Sequence, residues 1–164
     1  MDPDRKPNPI SWFLIFPWWG LIIAGLVEGV LSAKFHWLDL TVFELVLLWS
    51  FLQALWLRRS DRRSSAIIWY AGAEACELLA IAAEKLGAPR STDAFWTLSM
   101  VLWLAAVFIF RYEMQRYFNG KDNVGLGLGP WMTLFYNTVY FQYHFNEIAA
   151  FKKRHPEQIT PVAG

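Results

Sequence analysis

The chain has 164 residues, 55% hydrophobic, 18% aromatic and only 18% charged, with a net charge of +1. That length holds one domain, and its charge falls short of the roughly 25% found in soluble domains. The charges sit in short clusters between long uncharged blocks, which excludes a basic nucleic-acid-binding face. The single cysteine, Cys76, excludes an intramolecular disulfide.

Apolar blocks with charged junctions are the pattern of membrane spans. The expected fold class is an all-α integral membrane protein, a bundle of four transmembrane helices plus a C-terminal amphipathic or fifth membrane helix. The first span is expected over 10–32, with Pro9 at its start, a kink at Pro17, and Gly25 and Gly29 at the small-xxx-small spacing of close helix contacts. The second, over 37–57, ends in the basic turn Leu57-Arg58-Arg59-Ser60-Asp61-Arg62-Arg63. The third, over 64–86, carries Ala71, Gly72, Ala73, Ala75, Ala82 and Ala83, a composition suited to the packed centre of a bundle. Gly87-Ala88-Pro89 closes it, and Ser91-Thr92-Asp93 supplies caps for the fourth span, over 93–110. That helix is expected to continue, exposed to water, through Arg111-Tyr112-Glu113-Met114-Gln115-Arg116.

The stretch 120–130 alternates Gly125, Gly127 and Gly129 but lacks the lysine and Ser/Thr of a phosphate cradle, so it reads as a flexible connector. The segment 131–151 has no formal charge before Glu147, which is long enough to span, yet it is rich in Tyr, Asn and Gln. At helical spacing Thr133, Asn137, Tyr140, His144 and Glu147 form one polar stripe. Either an interfacial helix or a fifth span with its polar stripe facing the bundle fits this pattern.

Lysines and arginines cluster at the N-terminus, in the Arg58–Arg63 turn and after the fourth span, while the other connections carry only Lys34, Lys85 and Arg90. The positive-inside rule therefore predicts a cytoplasmic N-terminus in a cell membrane, taken as a bacterial inner membrane. Intramembrane carboxylates cost about 2.5–3.5 kcal/mol each at mid-membrane and need a reason. On this orientation Glu28, Glu44, Glu74 and Glu77 all fall in the outer half, with His36 and Asp39 at its mouth. A fifth span would add His144 and Glu147.

Glu74 and Glu77 share a helix face, and two carboxylates in low dielectric do not easily both ionise. With Glu44 they are the candidate acid and base of an intramembrane reaction. Together with His144, Glu147, Asn137 and Tyr140 they are the candidate ligand-binding set. Glu-x-x-Glu and His-x-x-Glu depart from the paired Glu-x-x-His of carboxylate-bridged di-iron bundles. No metal is assigned, and the sequence identifies no cofactor.

With 10 tryptophans in 164 residues and up to five spans, the chain resembles the tryptophan-rich sensory protein (translocator protein) family in composition. That family's proline- and tryptophan-rich first loop is replaced here by Ser32-Ala33-Lys34-Phe35-His36-Trp37, so neither its ligands nor its function carries over.

The leading functional expectation is a non-catalytic accessory or regulatory subunit of a membrane complex. Its partners would be the bilayer and other membrane subunits or a second copy. One alternative is a module that binds or moves a proton, cation or hydrophobic small molecule through the acidic pocket. The other is a membrane-embedded enzyme using glutamate acid/base chemistry on a lipid or isoprenoid.

Overall fold

Long apolar runs without strand-like alternation leave the backbone one economical way to satisfy its own polar groups, and most of the described residues are helical. The computed structural model describes residues 16–34, 42–121 and 124–154, and among them there is no strand. The helices are α1 (Trp18–Lys34), α2 (Val42–Ser60), α3 (Ala66–Lys85), α4 (Pro89–Lys121) and α5 (Pro130–Arg154). Two of them, α3 and α4, are long and apolar enough to cross a membrane. By contrast α1 has 17 residues, α2 carries Glu44, Arg58 and Arg59 in its 19, and α5 is rich in Tyr, Asn and Gln.

Local chemistry sets the helix ends. The expected kink at Pro17 is instead a helix start, with Phe16 in a bend and α1 beginning at Trp18. Proline has no N–H to continue a ladder and crowds the preceding turn, so the first helical turn tolerates it best. Gly20 is buried here because the Phe16 ring lies where its Cβ would be.

The third helix ends as expected at Gly87. This residue takes φ +69°, its N–H bonds Glu84 O at 3.0 Å, and Ala88 N–H bonds Ala83 O at 3.0 Å, a left-handed glycine stop. The next helix starts earlier than its Ser/Thr/Asp signal implies. Pro89 takes its first position, which leaves Thr92 and Thr97 inside the helix with their hydroxyls turned back to Ala88 O (3.2 Å) and Asp93 O (2.8 Å).

The α3–α4 hairpin is the most extensive packing in the molecule. From α3 it buries Ala66, Tyr70, Ala73, Cys76, Ala80 and Ala83, a seam of mostly small side chains that lets the two backbones approach closely. The expectation that α3 sits at a bundle centre is met on this seam alone. On its other faces Ile68, Trp69, Leu78 and Leu79 are exposed, Leu78 at 67%. The same holds for Met100 and Val101 on α4 and for Leu26 and Val30 on α1.

The hydrophobic core lies toward one end, where α2, the second half of α4 and α5 converge. Trp56 stacks on Phe118 at 6.1 Å and meets Phe145 edge-on at 5.4 Å, while Phe110 meets Phe141 at 4.8 Å. The same end gathers the cations of the Arg58–Arg63 turn, Arg116, Lys121 and the Lys152–Arg154 cluster. Lys152 Nζ lies 5.6 Å from the Phe118 ring centroid.

Candidate functional site

The end of α4 beyond Phe110 does not project into water as expected. Glu113 is 4% exposed. Its carboxylate accepts hydrogen bonds from Ser64 Oγ (2.6 Å), Ser65 N (2.7 Å), Ser65 Oγ (2.9 Å) and Ala66 N (3.2 Å). Ser65 occupies the N-cap position of α3 but makes no side-chain cap bond, so a carboxylate from another helix does that work. Around it Arg58 donates to Arg62 O and Ser64 O, and Arg116 pairs with Asp61 at 2.9 Å. Burial pushes the Asp61 carboxyl up, but the Arg63 N–H and the Arg116 guanidinium outweigh it and hold it below the usual carboxylate range.

The glycine-rich stretch is fastened to the same surface. Asn119 bonds both N and O of Leu126, Gln115 donates to Leu126 O (3.4 Å), and Arg111 donates to Leu128 O (2.8 Å). Residues 111, 115 and 119 fall four apart on one face of α4, which lets one helix hold an extended strap. Leu126 and Leu128 are buried beneath it.

The segment expected to be one interfacial or spanning helix is broken. Asn137 has φ 32° and ψ −110°, non-helical values inside α5. Leu128 and Phe141 both meet α4 at Arg111–Phe110, and Phe145 meets it at Phe118. The chain therefore runs back along α4 from Lys121 to Arg111, turns through the first half of α5, and returns toward the basic end. Gly129 N donates to Tyr140 Oη at 3.1 Å across this turn, which a straight helix would forbid, since eleven residues would rise about 16 Å.

A buried polar network joins the return leg to α2. Gln53 Nε2 donates to Gln142 Oε1 (3.1 Å) and Thr138 O (3.4 Å), and Trp49 Nε1 donates to Gln142 Oε1 (3.0 Å). Ser50 and Thr138 hydroxyls bond each other, and Thr138 Oγ1 donates to Asn137 Oδ1 at 3.3 Å. Gln142 Nε2 (2.7 Å) and Asn146 Nδ2 (3.2 Å) donate to Phe16 O, while the Gly20 N–H that could serve it in a helix bonds Pro17 O instead. The network thus ties α1, α2 and α5 together.

The sequence-predicted residues divide between two places. His144 Nδ1 lies 3.3 Å from Glu147 Oε2, Tyr143 Oη donates to Glu147 Oε1 at 2.6 Å, and the Tyr140 ring meets His144 at 4.6 Å. Burial lowers the His144 pKa against the pull of Glu147, while the bond to Glu147 raises that of Tyr143. These groups stand at the basic end, not among the acids of the opposite half.

Glu74 and Glu77 are half-buried on α3. The α3–α4 pair is antiparallel, since Glu113 meets Ala66 and Gly72 faces Leu102, so both glutamates lie past Leu102. At about 1.5 Å per residue, on the order of 20 Å of α4 separates them from Phe118 and the His144–Glu147 pair. The structure brings Asn137, Tyr140, His144 and Glu147 onto one broken helix and leaves Glu74 and Glu77 elsewhere. The side chains of Glu28 and Glu44, the pair Gly25 and Gly29, and His36 and Asp39 lie outside the described residues. Among those described, no three His, Cys, Asp or Glu side chains converge as metal ligands would.

Sequence reasoning missed Glu113, the Arg111–Gln115–Asn119 ladder and the Gln53–Gln142 pair. Comparison with known protein families, curated proteins and solved structures finds no match to the chain.

Proposed function

We propose that the chain is a multi-pass membrane protein working as a non-catalytic subunit of a membrane complex. In this reading α1 to α4 cross the bilayer of a cell membrane, and α5 folds back at the cytoplasmic face without crossing. The observation that carries it is the sorting of surface. Cations are concentrated at one end and the other charges mostly at the opposite end, while α1, α3 and α4 expose Leu26, Val30, Leu78, Met100 and Val101 along their lengths. Large apolar side chains exposed on several helices are the kind of surface that faces lipid or a partner. The apolar window of α4 is only 22% buried, unlike the core helix of a soluble fold.

The broken α5 supports the same reading. Non-helical backbone at membrane depth is tolerated where protein satisfies it, and here Gln53 and Thr138 lie against the break. Most polar groups of the network bond one another, which favours a structural use of them over substrate chemistry. Excess Lys and Arg at the Arg58–Arg63 turn and at Lys152–Arg154 supports a cytoplasmic assignment for both.

A photo-crosslinker introduced singly at Leu26, Leu78 and Met100 tests the subunit reading in native membranes. One helix face should give a discrete protein adduct and the others lipid adducts. Lipid adducts at every position would rule out a subunit role. A second reading, an ion or hydrophobic-ligand module, is favoured by the half-buried Glu74 and Glu77 on one face of α3. It predicts that Glu74→Gln with Glu77→Gln abolishes a transport or binding activity while the protein still accumulates.

A further inference from the structure

We propose that the cavity between the strap and the return leg of α5 binds one phosphoethanolamine zwitterion, as the headgroup of a phosphatidylethanolamine from the adjoining leaflet. The cavity has a volume of about 310 Å³ and is bounded by Val124–Gly127 on one side and by α5 on the other. That is the lower end of the range for small-molecule sites. Its apolar lining is Leu126, Ile148 and Phe151, and its polar lining is His144, Glu147 and Arg154.

The polar lining defines the ligand. Glu147 is half-exposed, with Tyr143 Oη on one carboxylate oxygen and His144 Nδ1 beside the other. Each oxygen keeps further acceptor capacity. His144 lines the same wall, its Nε2 buried and without a hydrogen-bond partner. Arg154, about two helical turns beyond Glu147 along α5, brings a planar fork suited to phosphate. A bare anion is opposed by Glu147 and a bare cation by Arg154, whereas a zwitterion satisfies both. A primary ammonium offers three N–H donors to the acceptors, and a quaternary choline offers none. The apolar lining of Leu126, Ile148 and Phe151 then takes the glycerol and the start of the acyl chains.

The leaflet as the source of the ligand rests on the membrane reading above. Pocket chemistry can be probed apart from it with soluble glycerophosphoethanolamine. The full chain, purified in detergent and stripped of lipid, is titrated with glycerophosphoethanolamine, glycerophosphocholine and inorganic phosphate. It is separately reconstituted in nanodiscs of mixed phosphatidylcholine and phosphatidylethanolamine, and retained lipid is counted by native mass spectrometry. Glycerophosphoethanolamine should bind roughly tenfold more tightly than glycerophosphocholine, the worth of one charge-assisted hydrogen bond.

Glu147→Gln should erase that preference, and Lys153→Ala, outside the cavity, should leave it intact. Gly127→Leu serves as the second variant. A Cβ at Gly127 meets nothing within 4 Å, so the backbone accepts the side chain while the cavity fills. It should abolish binding with the unfolding midpoint unchanged. Equal affinity for the two glycerophosphodiesters, or binding unaffected by Gly127→Leu, would overturn the site. Preference in solution without retention of phosphatidylethanolamine in nanodiscs would overturn the leaflet as the source.

Discussion

Glu113 of α4 accepts the Ala66 N–H at 3.2 Å, so the first turn of α3 is capped by a carboxylate 47 residues away in sequence. The same group takes both serine hydroxyls of the preceding turn. Glu113→Ala leaves these donors without an acceptor beside a helix N-terminus and should cost about 3 kcal/mol. Glu113→Gln, which keeps one acceptor oxygen, should cost less. SDS-titration unfolding of the purified protein measures both, and equal costs would argue that the oxygen kept by glutamine contributes nothing and that the cap depends on the ionised carboxylate.

The Gln53–Gln142 pair lends itself to a double-mutant cycle. Gln142→Leu removes the shared acceptor of Gln53 Nε2 and Trp49 Nε1 and one of the two donors to Phe16 O, and should destabilise by about 2–3 kcal/mol. Adding Gln53→Leu should recover part of that loss, because two apolar partners replace one orphaned polar group. Strictly additive losses would show that the two amides act independently.

The backbone at Asn137 is in a region that side chains with a Cβ rarely adopt, φ 32°. Asn137→Gly should therefore be nearly neutral in stability despite losing the Thr138 Oγ1 contact. Asn137→Val should cost about 1–3 kcal/mol, because a β-branched residue resists positive φ. A helix-continuous α5 would reverse this order, with glycine the worse substitution.

Two groups outside the spans contribute to the response to acid. The His144 pKa is lowered by burial in the folded chain, so below about pH 6.5 the unfolded chain takes up the proton first. Stability should be flat above that value and decline as pH falls toward the folded pKa. His144→Phe should remove this slope. Asp61, lowered by Arg63 and Arg116 against its own burial, contributes stability present above its model value of 3.8 and lost only below it. Unfolding midpoints from pH 8 to pH 3 separate the two windows.

The helix boundaries written in local chemistry were legible in the sequence, above all the stop at Gly87 and the small-residue seam of α3. What was not legible depends on partners far along the chain. Glu113 reads as one more charge on a water-exposed helix until Ser64 and Ser65 are known to lie beside it. One signal was present: α3 opens after Ser64-Ser65 with no acidic residue in its first turn. Likewise Arg111, Gln115 and Asn119 look like a solvated stripe, yet they hold the strap.

The polar stripe from Thr133 to Glu147 presumed a continuous helix. Asn137 breaks it with no proline or glycine to announce the break, because the network from α2 rather than local propensity favours the bend. The grouping of Glu74 and Glu77 with His144 assumed that α5 reaches the acidic half. It turns back instead.

The fold-back of α5 is the centre of this account, and side-specific thiol labelling tests it most directly. With Cys76 replaced by alanine, single cysteines at Arg62, Pro89 and Lys153 are exposed to a membrane-impermeant maleimide in intact cells and in inverted vesicles. The account predicts that Arg62→Cys and Lys153→Cys label only in inverted vesicles and Pro89→Cys only in intact cells. Labelling of Lys153→Cys from the side opposite to Arg62→Cys would mean that α5 crosses the membrane, and would contradict it.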